Sequence, residues 1–264
     1  MPSLYAHKKF GAEVYRLLPV ELKKIIAAHR DEYLIGLHGP DILFFNLTDN
    51  DRVTDLGKKN HKYPFAVMEK RAFRLIMDSS DEAELSYFFG CICHFVLDAA
   101  VHPLVDEAIQ ATGMSHGKIE TELDRYALLS DGHDALTYPA HAHLPVSVKT
   151  AEIASRFYKD LSPADFHFGM VCMKALYVGT SKRNPVIRNT MIKIMDKAGF
   201  GSKVASFFMS KDRSQLAARY VAKMYELMGE EVARAVELID DFYASILTGK
   251  LSLSPYLRKN YYGK

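Results

Sequence analysis

Residues 82–101 read as one apolar helix that nevertheless carries titratable groups along one side. Its segment CICHFVLDAAVHP, residues 91–103, holds His94, Asp98 and His102 at steps of four. On an α-helix such steps climb a single face, about 6 Å per step. Each ionisable group buried without a partner costs several kcal/mol. A helix that is otherwise core material must therefore meet compensating groups along this face, and other parts of the chain have to bring them there.

The rest of the chain is helical in pattern. Phe10, Val14, Leu17 and Leu18 keep a helical period up to Pro19, and Leu22, Ile25 and Ile26 continue it on a second helix. Residues 64–77 place Phe65, Met68, Phe73 and Ile76 on one apolar side. Ser115 is an N-cap for a helix to about Leu129. Val148–Leu161, a Ser162-Pro163 start running to Gly179, Asn184–Ala198 and Arg213–Leu247 are further helices. Asn46–Asn60 and Asp131–Pro145 read as polar loops. Strand-like alternation is nearly absent, so the expectation is a single all-α, multi-helix domain.

Bulk properties narrow the function classes. The 34 basic and 32 acidic residues leave a net charge of +2, too balanced to indicate nucleic acid or an anionic membrane by charge alone. Three cysteines do not make a disulfide framework and fit a reducing compartment. MPSLYAHKKFGAEVYRLLP has no long apolar core of the secretory type, and no apolar run reaches the roughly 18–20 residues of a membrane span. The expected location is cytoplasmic. Ten of the eleven histidines precede residue 146. Residues 1–146 are therefore the expected metal-binding, catalytic half, and 147–264 a helical part of the same domain or a packed extension.

Pairs four apart on a helix can share one ion. His94 with Asp98, His102 with Asp106, and His116 with Glu120 have that spacing. Beyond these pairs a series of short motifs runs in order: H-x-x-F-G at His7–Gly11, L-H-G-P-D at Leu37–Asp41, G-x-x-x-H at Gly57–His61, H-F-x-L-D at His94–Asp98, H-P at His102, and H-x-x-x-E-x-E-L-D from His116 to Asp124. Together they cover roughly residues 7–130. In this order they resemble the zinc-dependent phospholipase C family, whose all-helical fold is shared with single-strand-specific zinc nucleases.

The resemblance implies a zinc cluster of two or three ions. It places His61, His94 and Asp98 at one zinc, His102, His116 and Glu120 at a second, and His7 with a bridging Asp98 at a third. Asp41 corresponds to the acid beside the catalytic water. Secreted members of that family complete the third site with an N-terminal tryptophan. This chain has no Trp, and six residues precede His7, so the third site would be completed by water, by another N-terminal arrangement, or left partly occupied. The implied activity is phosphodiester hydrolysis by a zinc-activated water, of the phospholipase C type. The expected partner is a phospholipid or other phosphodiester, with peripheral membrane contact. The alternatives are a nuclease-type phosphodiesterase acting on single strands, for which no basic–aromatic stripe is visible, or a non-catalytic zinc-binding relative acting as an interaction protein.

Several other residues have two readings. Asp124 is either an acid that fixes a ligand imidazole or a solvated charge paired with Arg or Lys. Cys91 and Cys93 fit small buried hydrophobes. His38 lies near Asp41 and could line the site, and His133, His141 and His143 sit in a polar loop at its rim or in solvent. Phe44, Phe45, Phe88 and Phe89 are either a wall for acyl chains or core.

Overall fold

A computed structural model describes residues 3–46, 51–180 and 213–264, with isolated positions 190, 193 and 209. Apart from positions 190 and 193, the expected helix Asn184–Ala198 lies outside the described residues. The described α-helices are α1 (Leu4–Leu17), α2 (Val20–Ala28), α3 (Arg30–Gly36), α4 (Asp51–Lys62), α5 (Phe65–Ser79), α6 (Glu82–Thr112), α7 (His116–Ser130), α8 (Val148–Ser155), α9 (Pro163–Thr180), α10 (Ala218–Glu230) and α11 (Val232–Thr248). Short 3-10 turns occupy Gly39–Phe45, Ala140–His143 and Pro255–Arg258. Among the described residues there is no strand, and the fold is the expected all-α one.

The organising element is α6. Asp81 caps it, accepting from the Ala83 amide at 2.9 Å, and Glu82 and Glu84 sit in its positive first turn. Gly113 ends it with φ 68°, in the left-handed region that glycine occupies without strain. The sequence pattern stops this helix at Val101, before Pro103. In the fold it continues to Thr112, because Leu104, Val105 and Ala108 beyond the proline are buried and hold the last turns in place. With 31 residues, α6 is long and apolar enough to cross a membrane, which corrects the expectation that no such run exists. Its surface is taken up by protein instead: α1, α2, α3, α5, α7, α8, α10 and α11 all pack on it.

Three further expectations change. Residues 51–60 form α4, not loop, because Val53, Gly57 and His61 make a buried stripe one residue wide in an otherwise polar helix. The helix expected over Val148–Leu161 ends at Ser155. Arg213–Leu247 is two helices broken at Glu231, so that α10 packs on α6 and α7 while α11 packs on α1, α5 and α6.

Helix α3 crosses α6 at backbone contact. A Cβ at Gly36 would stand 2.2 Å from the Tyr87 carbonyl oxygen, and one at Gly90 would stand 2.4 Å from that of Tyr33. Glycine at both positions lets the two backbones touch, which brings the turn after α3 against the middle of α6.

On the far side, α5 buries Glu69 within the field of Asp241. Burial, and then the Asp241 charge, push the Glu69 pKa up to about 8. The native state thus holds a proton that the unfolded chain releases near pH 4.5. Stability is lost as pH rises from that value toward 8. Metal-free Glu69→Gln should melt with the wild type at pH 4 and several degrees above it at pH 9, since each pKa unit is worth about 1.4 kcal/mol. Equal melting at pH 9 would show that Glu69 is not held protonated.

Candidate metal centre

Five elements supply the titratable groups. The α6 face presents His94, Asp98 and His102. His7 comes from the first turns of α1, Asp41 from the 3-10 turn, His61 from the last turn of α4, and His116 and Glu120 from the start of α7. All of these except His116 are buried. Because α6 runs unbroken through Pro103, His94 and His102 share one rigid rod that sets their spacing.

The donors form two groups. Ligand atoms of His7, Asp41, His94 and Asp98 lie within 4.8 Å of one another, and so do those of His102, His116 and Glu120. His61 adjoins the first group through Asp41, with Nε2 2.8 Å from Oδ1. Asp98 stands between the groups: Oδ1 is 3.2 Å from His7 Nε2, while Oδ2 is 3.4 Å from His94 Nε2 and 3.8 Å from His102 Nδ1. In the second group, Glu120 Oε1 is 3.1 Å from His116 Nε2 and 3.6 Å from His102 Nε2. His7, expected at a separate third site, stacks on His94 with ring centroids 4.5 Å apart. Asp41, expected beside the water, stands among the donors. Asp106 turns away from His102 and faces Lys264 at 3.6 Å.

Backbone carbonyls set the tautomers of three rings. His61 Nδ1 contacts the Gly57 oxygen at 2.8 Å, His94 Nδ1 that of Leu37 at 3.1 Å, and His102 Nδ1 that of Tyr261 at 2.5 Å. A carbonyl only accepts, so each Nδ1 carries a proton and each Nε2 is the ring atom turned inward, with a lone pair for a metal whenever the ring is neutral. Those inward atoms, His61 Nε2, His94 Nε2 and His102 Nε2, have no partner in hydrogen-bonding geometry among the described residues, and neither do His7 Nδ1, His116 Nε2 and Asp41 Oδ1. Buried acceptors without donors are costly. A divalent cation satisfies them together, and imidazole with carboxylate is a donor set suited to zinc. The residues therefore fit the metal.

The charges are strongly perturbed. Burial alone would raise the Asp98 pKa, but His102, His94 and His7 outweigh it and hold the carboxyl well below its ordinary range. Two histidines on the same face of α6 shift in opposite directions. His94 falls to about 4, chiefly by burial and with His7 also lowering it, against the pull of Asp98. His102 rises to about 9 despite burial, because Asp98 and Glu120 face it.

Surrounding residues sort themselves by contact. Neither expectation for Asp124 describes its place. Its two oxygens accept from the Tyr5 and Ala6 amides at 3.0 and 2.9 Å. It caps α1 from across the molecule and so holds the turn that carries His7. His38 is fully buried, and its Nε2 meets His143 Nε2 at 2.8 Å, so one member of the histidine loop does reach the site. His133 stacks on Tyr138 instead. Cys91 and Cys93 are buried core thiols, and burial pushes Cys93 up to about 12. Phe45, Phe88 and Phe89 belong to the core, while the Phe44 ring lies 5.0 Å from that of His61. Sequence reasoning misses Tyr261 and Tyr262. Their rings pack at 4.8 Å from His61 and 5.4 Å from His102 respectively, and no motif marks either residue.

Among known families, the model of the one described as zinc dependent phospholipase C matches residues 6–166. No curated protein and no solved structure matches the chain.

Proposed function

The chain belongs to the zinc-dependent phospholipase C family, and on that premise we propose that it hydrolyses the phosphodiester of a phospholipid, separating the head group from diacylglycerol. The observation that supports this most is the placement of Asp98, one buried carboxylate within 3.2–3.8 Å of imidazoles from both donor groups. A shared acid of this kind lets neighbouring cations act on one substrate. In this reading His7, His61, His94 and Asp98 would hold one or two zinc ions, His102, His116 and Glu120 would hold another, and Asp41 would stand beside them as the base. Zinc, when bound, supplies Lewis acidity: it lowers the pKa of a water and offsets the charge that builds on the phosphoryl oxygens.

The protein's own groups supply the rest. The Asp41 carboxyl lies below its ordinary value in spite of burial, with His61 Nε2 and His94 Nε2 at 2.8 and 3.7 Å from its oxygens. An ionised carboxylate at that point accepts the proton of the attacking water. The Gly57, Leu37 and Tyr261 carbonyls keep the three rings from rotating, so no orientation has to be found during the reaction.

A lipid is favoured over a single-stranded nucleic acid by a cavity of about 330 Å³ lined in part by Leu37, whose carbonyl faces His94, and by His143, which meets His38. It is lined largely by apolar side chains, with Lys8 and Arg30 present to meet an anion. The test is zinc content per chain, together with hydrolysis of phosphatidyl vesicles, single-stranded DNA and a chromogenic phosphodiester. The expected result is release of phosphorylated head group from the vesicles. Faster cleavage of DNA would favour the nuclease reading, and a zinc-loaded protein inert toward every diester would overturn the enzyme.

A further inference from the structure

The segment 255–264 lies outside the part of the chain matched to the family, yet it touches the metal centre more closely than many residues within that part. We propose that the turn Asn260–Gly263 is a component of this centre, a positioning element whose Tyr261 carbonyl orients His102 toward His116 and Glu120. The inference rests on the reading of these residues as zinc donors.

The geometry is specific. Among the described residues, the Tyr261 oxygen is the hydrogen-bond acceptor facing His102 Nδ1, and it comes from a residue 159 positions away. With Nδ1 so occupied, Nε2 is the ring atom left to face Glu120 Oε1 at 3.6 Å. The Tyr262 ring covers His102 at 5.4 Å and comes within 6.3 Å of His61, so this one side chain spans both donor groups. Tyr261 packs its own ring against His61, His94, Phe65 and Phe95.

The turn is built to hold that carbonyl still. Asn260 Oδ1 accepts from the Tyr262 and Lys264 amides at 2.9 and 3.1 Å, while the Asn260 amide donates to the Lys264 oxygen at 2.9 Å. Gly263, at φ 74°, sits in a notch on α6. Pro103 has no N–H to give to the Ala99 carbonyl, and the Gly263 backbone fills the space beside it. A Cβ there would stand 2.4 Å from the Ala99 oxygen and 3.1 Å from Pro103 Cγ. The proline next to His102 thus makes the seat for the turn that orients His102.

Two variants and one measurement on the wild type test this. Gly263→Ala and Asn260→Ala should bind one zinc equivalent about 10–100-fold more weakly in chelator competition, the range for loss of an outer partner of a ligand histidine. The remaining zinc and the far-UV circular dichroism should be unchanged. Asn260→Asp keeps the Oδ1 acceptor, losing only the exposed 3.3 Å bond from Asn260 Nδ2 to the Lys62 oxygen, and should recover most of the affinity that Asn260→Ala loses. In zinc-loaded wild type, ¹⁵N spectra of the imidazoles should show His102 protonated at Nδ1, with the metal on Nε2. Folded alanine variants with wild-type zinc affinity would overturn the proposal. So would metal on Nδ1 of His102, which needs no variant to fold. A wild type that takes up no zinc at all would instead remove the functional reading and this inference with it.

Discussion

Asp98→Asn should lose at least one zinc per chain and hydrolyse a chromogenic phosphodiester about a thousandfold more slowly, the rate equivalent of roughly 4 kcal/mol. The size reflects position. Asp98 is buried and lies near His7, His94 and His102 at once. An amide keeps the volume and removes the charge, so the three imidazoles no longer have a shared anion. One of its two oxygens also becomes an NH₂ donor facing ring nitrogens that need a cation. The measurement is metal content by elemental analysis beside the initial rate. Equal zinc and equal rate in both proteins would remove Asp98 from the centre. Full zinc with a lost rate would assign it to the reaction and not to metal retention.

Gly90→Ala should lower stability by about 3 kcal/mol, near the upper end for overpacking a core, and should weaken zinc binding although none of the atoms nearest the added methyl belongs to a donor side chain. The new methyl would stand 2.4 Å from the Tyr33 oxygen and 2.8 Å from Gly36 Cα. Both are backbone atoms, which cannot turn aside as a side chain would, so α3 has to move off α6. The Leu37 carbonyl that orients His94, and Asp41 four residues beyond it, travel with α3. Gly229→Ala is the control, since nothing lies within 4 Å of the added methyl. Relief of backbone entropy should make it neutral or slightly stabilising. Thermal melts with zinc titration check the pair. A Gly90→Ala protein that melts and binds zinc as Gly229→Ala does would show that this crossing has slack.

Local periodicity and side-chain identity made part of this protein legible before any folding is considered. His94, Asp98 and His102 share a face because a helix repeats every 3.6 residues whatever packs on it. The ordered motifs at His7, Asp41, His61, His116 and Glu120 picked out imidazoles and carboxylates that the folded chain brings close to one another, since such groups in a largely apolar setting are visible in the letters themselves. Other features came only from long-range packing. Pro103 reads as a stop, but the helix runs on because its far turns are buried. The α4 segment reads as a loop, since a buried stripe of Val53, Gly57 and His61 carries little weight in a polar stretch. Asp124 reads as a partner for an imidazole and instead caps α1, a role that exists only once residues 119 positions apart are brought together. The Tyr261 carbonyl is the extreme case. Every residue has a carbonyl, so no choice of amino acid could announce that this one holds His102; only the path of the chain puts it there.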